Sequence, residues 1–273
     1  MKLTRIPSAD GLTLATYEAG NPDGPAILFL HGFNQSALSW QLQMQDRDLL
    51  ARFRMVAYDI RGHGASDQPE DPARYARDQD FAADTHAVIT ALGLNRPVLV
   101  GWSYAGRLIN DYVRHYGTTA IAGINYVGAR LDSDPAFNGP GNAHFRDMVR
   151  PDLAREIVAV EAFLRDCFFL PPPESFLKQA RYYNMRMQPK VRRAHLTRAP
   201  DDGAVLATLD VPVLLTQGTR DQLVLPGLAE ARSRVIPGAE LSLYHGIGHM
   251  PFAEDTPRFN RELAAFVLHC PAD

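Results

Sequence analysis

The chain has 273 residues, with 31 acidic and 28 basic side chains and a formal net charge of −3. That balance provides no global attraction to nucleic acid or to an anionic membrane, so a small molecule is the expected partner. No stretch approaches the roughly 20 apolar residues of a membrane span. The opening Met1-Lys2-Leu3-Thr4-Arg5-Ile6-Pro7 lacks a continuous apolar segment of secretory type, so a cytoplasmic location is expected. Two cysteines, Cys167 and Cys270, lie far apart and outside any C-x-x-C pattern. They are expected to remain reduced.

Residues 3–7 and 12–18 alternate like two antiparallel strands around Asp10-Gly11, a hairpin signal. Residues 26–30 read as a buried strand that ends in His31-Gly32-Phe33. A helix is expected over 39–51, with Trp40 and Leu42 on its apolar side. The next strand, 54–58, runs into Asp59-Ile60-Arg61-Gly62-His63-Gly64-Ala65-Ser66, a tight glycine-dependent turn. Residues 81–92 have helical spacing, and Gly93 suits the stop. The apolar run Pro97-Val98-Leu99-Val100 then meets Gly101-Trp102-Ser103-Tyr104-Ala105-Gly106 and an amphipathic segment beginning at Arg107. A strand follows over 121–127. Residues 130–205 break the rhythm: they are aromatic-rich and helical in pattern, with Asp134-Pro135 and Pro171-Pro172-Pro173 as breakers. Beyond them come strands at 211–216 and 241–244 and helices at 228–235 and 258–268. Repeated β–α units of this length predict an α/β fold, a mostly parallel sheet with helices on both faces. The expected core is 1–129 with 206–273, and 130–205 is a helical cap inserted after the sixth strand.

The segment around Ser103 carries the chemistry. A strand, a sharp turn and a helix with serine at the apex lift the hydroxyl off the end of a sheet. Small residues are needed two before and two after the serine, where strand and helix pass closely, and Gly101 and Ala105 meet that need. The backbone N–H of Tyr104 lies at a helix N-terminus, where the dipole favours an anion. Taken alone, the motif is also compatible with an ordinary loop serine. Two further segments argue otherwise. Gly218-Thr219-Arg220-Asp221 ends one strand, and Gly246-Ile247-Gly248-His249-Met250-Pro251 places a histidine in a glycine-rich loop before the last helix. The chain order is Ser, Asp, His.

With these motifs the sequence resembles the α/β-hydrolase superfamily, and most of all its small esterases and cofactor-free haloperoxidase (perhydrolase) relatives. The resemblance runs over residues 10–129 and 206–268. It implies an eight-stranded sheet with Ser103 as nucleophile, His249 as base and then acid, and Asp221 as the group that orients the imidazole. It further implies an oxyanion hole from the N–H groups of Phe33 and Tyr104, and no cofactor. Ala105 departs from the glycine many relatives carry there. The implied reaction is carboxylic ester hydrolysis through an acyl-enzyme. Perhydrolysis, carbon–carbon bond hydrolysis and a slow-turnover ligand receptor are the alternatives. Haloalkane dehalogenases and epoxide hydrolases resemble this fold but use aspartate where Ser103 stands.

Other candidates have plainer readings. His31 and His63 are expected to be structural. His245 and His249 lie four apart, but within a glycine loop, so no metal site is expected. Trp40 and Trp102 read first as packing residues; together with Tyr183 and Asn184 they are the candidates for the substrate pocket. The basic run from Lys178 to Arg198 is expected to be a solvated face; the rival reading has some of its arginines reaching inward toward an anionic substrate. Asp132 and Asp134, just past the sixth strand, are the rivals to Asp221.

Overall fold

The computed structural model describes residues 1–199, 201 and 203–271. The first two strands, β1 (Lys2–Pro7) and β2 (Thr13–Gly20), pair antiparallel, with Ile6 opposite Leu14. Gly11 turns the chain between them at φ +85, a conformation that glycine adopts without a steric penalty. Six more strands follow: β3 (Ala26–Leu30), β4 (Arg54–Tyr58), β5 (Val98–Trp102), β6 (Gly123–Val127), β7 (Val213–Gly218) and β8 (Glu240–Tyr244). The eight form one sheet in the order β1-β2-β4-β3-β5-β6-β7-β8, parallel from β4 onward. Every residue of β3, β5, β6 and β7 is buried. That is why β3 and the first residues of β5 and β7 read as apolar runs: strands covered on both faces have no solvated side to show.

The helix expected over 39–51 is three short pieces, a 3-10 turn Ala37–Trp40 and helices Gln41–Met44 and Arg47–Arg52. Asp46 breaks it. Its carboxylate accepts from Leu49 N at 2.9 Å and starts a new helix in mid-segment, as an N-cap aspartate does. The helix expected to begin at Phe81 begins a turn earlier, spanning Asp78–Ala91. The last helix, Thr256–His269, starts where Asp255 accepts from Arg258 N. Between β6 and β7 the chain is helical, with helices Leu153–Asp166, Glu174–Met185 and Pro189–Leu196. The isolated Asn138–Val224 bridge ties this segment to the loop after β7. Cys167 and Cys270 are both buried and free. No described helix is long and apolar enough to cross a membrane.

Candidate active site

The strand order explains where the site forms. After β3 the chain steps outward to β4 and then crosses back to β5 on the other side of β3. Ligands of open α/β sheets bind where such a reversal opens a crevice at the carboxyl ends of the strands. Leu30 stands opposite Gly101, so the His31-Gly32-Phe33 loop and the Ser103 turn leave the sheet side by side. A methyl group on Gly32 would lie 3.2 Å from Ser103 Cβ.

Ser103 is held in the left-handed region at φ +56. For a non-glycine residue this costs on the order of 1 kcal/mol or more, and such strain gathers at functional sites. Its N–H donates to Val127 O at 3.0 Å, while its carbonyl accepts from Gly106 N at 3.0 Å and Arg130 N at 2.8 Å. The small neighbours are needed as expected. A Cβ on Gly101 would meet Ile109 Cδ1 at 2.5 Å, and one on Gly106 would meet Arg130 O at 2.7 Å. Ala105 is fully buried in the same contact zone and fits.

Asp221 and His249, 28 positions apart, are brought together and buried. Asp221 Oδ1 accepts from Leu223 N at 2.8 Å and Val224 N at 2.9 Å. Its Oδ2 accepts from His249 Nδ1 at 2.6 Å and Gln217 Nε2 at 3.1 Å. With the proton on Nδ1, His249 Nε2 is left as an acceptor, and it is buried with no hydrogen-bond partner among the described residues. The His249 ring abuts Gly128, where an added Cβ would lie 3.2 Å from Nδ1; the residue before it, Val127, is the one that binds Ser103 N.

The histidine loop is pinned from three sides. His249 N donates to Cys167 O at 3.1 Å, and His249 O accepts from Trp102 Nε1 at 2.9 Å. Glu254 supplies the third: Oε1 accepts from Gly248 N at 2.9 Å, and Oε2 from Phe169 N at 2.9 Å and Leu170 N at 3.0 Å. The rival acids are engaged elsewhere. Asp132 pairs with Arg232, and Asp134 caps the 3-10 turn Pro135–Phe137. His245 is exposed whereas His249 is buried.

The N–H groups of Phe33 and Tyr104 donate to no protein group among the described residues. Tyr104 is the N-cap of the helix Ala105–Tyr116, so its amide adds to the positive end of a 12-residue helix. Behind this loop stand three buried histidines. His31 Nε2 accepts from Ile60 N at 3.0 Å, and Nδ1 donates to Gly32 O at 2.8 Å. His63 Nε2 accepts from Asn34 N at 3.1 Å, and Nδ1 donates to Arg61 O at 3.1 Å. His195 donates to Arg61 O through Nε2 at 3.2 Å and accepts from the Tyr104 hydroxyl through Nδ1 at 3.2 Å. Their partners require the neutral form, and burial holds His31 and His195 well below the ordinary imidazole range and brings His63 down to about 4.

This has a pH consequence. Unfolded histidine takes up its proton near pH 6.5. Between that value and about 4 the unfolded chain binds more protons than folded His63 does. Stability is therefore fully present above pH 6.5 and is lost as pH falls through the window. For His63 alone the loss is roughly 3 kcal/mol. The melting temperature is expected to drop markedly between pH 7.5 and 4.5 by calorimetry; an unchanged value contradicts the neutral-histidine scaffold.

A cavity of about 250 Å³ opens over Ser103, with Phe33 and Tyr104 on its core side and Phe145, Phe163 and His195 from the helical segment. None of the expected pocket residues Trp40, Trp102, Tyr183 and Asn184 lies on its wall. Trp40 is fully buried between Phe29 and Phe252, with ring centroids 4.9 and 4.3 Å away. Trp102 is spent on His249 and Phe252. Tyr183 is buried, and Asn184 accepts from Asn34 Nδ2 at 2.6 Å, tying the helix Glu174–Met185 to the loop after Phe33. Large aromatic side chains gain most by burial, and here the core claims them.

The basic run also departs in part from a solvated face. Lys178, Arg186, Lys190 and Arg193 are exposed, but Arg192 and Arg198 are buried and paired with Glu156 and Asp111. Arg192 holds Asn34 Oδ1 at 2.8 Å, so the two buried arginines serve structure and do not reach the cavity. The residues that do reach it, Arg107 and Arg130, were not singled out by motif. What marks them in the sequence is their place, one at a buried helix position a turn past Ser103 and the other just past β6.

Comparison with known proteins agrees with this fold. A sequence profile of a family described as the alpha/beta hydrolase family matches residues 27–262. A crystal structure from Burkholderia cenocepacia, described as that of an aryl esterase, superposes with a TM-score of 0.94 at 34% identity over 98% of each chain. Esterase RhEst1 from Rhodococcus sp. ECU1013 superposes with a TM-score of 0.92 at 32% identity, over 99% of this chain and 100% of that one. The non-heme chloroperoxidase of Streptomyces lividans is 28% identical over 290 aligned positions, 96% of this chain and 98% of that protein. EphD of Mycobacterium tuberculosis, named as an oxidoreductase, is 35% identical over 154 residues, and the match takes in 55% of this chain and 24% of that longer protein.

Proposed function

The chain belongs to the alpha/beta hydrolase family, and from that premise we propose that it cleaves a small carboxylic ester through an acyl-enzyme on Ser103. The observation that carries this reading is the buried Asp221–His249 pair, whose Nε2 has no partner among the described residues. A serine hydroxyl is a weak nucleophile until a base takes its proton. In this mechanism Nε2 accepts that proton as Oγ bonds to the ester carbonyl carbon. The oxygen that becomes negative is met by the N–H groups of Phe33 and Tyr104, each such donor lowering the barrier by about 3–4 kcal/mol. The imidazolium, stabilised by Asp221, returns the proton to the departing alcohol oxygen. Water then repeats the cycle on the acyl-enzyme and releases the acid. No cofactor takes part. Residues 130–205 act as a cap, a role supported by Phe145, Phe163 and His195 on the cavity wall.

The likeness to a chloroperoxidase supports a second reading, in which hydrogen peroxide replaces water in the deacylation step and a peracid leaves. The first step and its residues are the same. A fluorophosphonate tests the step that the two readings share. Attack by Oγ displaces fluoride, and peptide mapping is expected to find the adduct on Ser103 with p-nitrophenyl acetate turnover abolished. An adduct elsewhere with turnover lost overturns the assignment. Labelling with turnover below about one per minute before treatment points instead to a ligand receptor of the same fold.

A further inference from the structure

We propose that Arg107 and Arg130 form an anion subsite in the cavity over Ser103, so that the ester this enzyme takes carries a second, free carboxylate; this rests on the serine-hydrolase reading above. Both arginines line that cavity, and no carboxylate does among the described residues. Arg107 lies one helical turn past Ser103 and is only 8% exposed. It donates to Ala199 O, but its Nε is buried without a partner among the described residues. Arg130, whose own N–H holds the Ser103 carbonyl, makes no side-chain hydrogen bond or ion pair among the described residues, and its Nη1 is buried.

Among the described residues the nearby acids already have partners. Asp111 pairs with Arg198 and Arg114, Asp201 with Arg114, and Asp132 with Arg232. Two guanidinium groups are therefore left facing one small cavity with hydrogen-bonding nitrogens unused. Buried polar groups are nearly always satisfied, and an uncompensated buried charge is costly. Burial makes both guanidiniums harder to charge than usual, and at Arg130 the charge of Arg107 adds to the effect. A carboxylate settles both: it accepts charge-assisted hydrogen bonds from the guanidinium nitrogens that border the cavity and offsets their repulsion. Neutral Ser133, Asn138 and Asn142 complete the polar lining, and Phe145 and Phe163 contribute apolar surface. At about 250 Å³ the cavity fits a short-chain half-ester of a dicarboxylic acid.

The test compares monoethyl succinate, glutarate and adipate with their isosteric neutral amides, following ethanol release. For at least one chain length kcat/KM is expected to favour the half-ester about tenfold or more. In Arg130→Gln that preference should fall at least tenfold, mainly through KM, with Arg130→Lys keeping part of it; Arg107→Gln should act in the same direction. A preference near one at every length, an unchanged preference in Arg130→Gln, or an equal fall for both substrate types overturns the subsite. Melting curves identify any variant that fails to fold, and Arg130, with no side-chain hydrogen bond or ion pair among the described residues, is the primary probe. Calorimetric titration of glutarate into the wild-type protein and Arg130→Gln reads the subsite without turnover. Tenfold weaker binding in the variant supports it even if no ester is hydrolysed, which would be a failure of the hydrolase reading alone; equal binding overturns it.

Discussion

Ser103→Ala is expected to lower kcat for p-nitrophenyl acetate by a factor on the order of 10⁵–10⁶, the scale on which a triad nucleophile acts. Ser103→Gly should be equally inactive yet more stable than the wild type. The residue sits at φ +56, where glycine carries no penalty. Relief of roughly 1 kcal/mol raises the melting temperature of a chain this size by about 2–4 °C. Activity and stability thus move in opposite directions at a single position, and calorimetry with a steady-state assay reads both. Retention of a tenth or more of the activity in Ser103→Ala would remove it from the reaction.

Asp221→Asn is expected to lower kcat by about 10²–10⁴ with the fold preserved. The local geometry states why. The Oδ1 position accepts from Leu223 N and Val224 N, so the amide oxygen must occupy it. The amide NH₂ is then forced toward His249 Nδ1 and Gln217 Nε2. Facing a donor, Nδ1 must become an acceptor, the proton moves to Nε2, and the base loses the lone pair that takes the serine proton. Asp132→Asn is expected to leave kcat within a few-fold of wild type, since Asp132 is bound to Arg232. The reverse pattern in the two variants would transfer the acid to the end of β6.

These two variants probe what was most legible in the sequence. Strands such as Ile27 to Leu30 and Val98 to Val100 are apolar throughout because both faces of the sheet are covered, and the turns at their carboxyl ends then stand out by glycine and by chemistry. Ser103 and Asp221 follow strand ends of this kind and His249 follows the edge strand β8, which is why chain order points to the pairing of Asp221 with His249. The pocket was not. Whether Trp40 faces a cavity or Phe252 depends on contacts more than 200 positions apart, and side-chain size favours both outcomes equally. Arg107 and Arg130 were hidden for a related reason: an arginine gains its meaning from the partners it lacks, and Asp111, Asp132 and Asp201 had first to be assigned to Arg198, Arg232 and Arg114. The break at Asp46 depends on a contact of its carboxylate with Leu49 N, which the apolar spacing of 39–51 does not show.

The Glu254 carboxylate has a bearing on protein engineering. It holds the amide of Gly248, beside His249, and those of Phe169 and Leu170, while Cys167 O holds His249 N. Residues 167–170 therefore belong mechanically to the histidine loop, although they lie within the stretch between β6 and β7. A chimera that exchanges this whole stretch for that of a relative also exchanges the backbone on which His249 rests, and its activity then reports loop support as much as pocket shape. The usable graft seams lie on either side of 167–170, leaving that tetrapeptide native, so that new specificity is introduced through Phe145, Phe163 and His195 without disturbing the base.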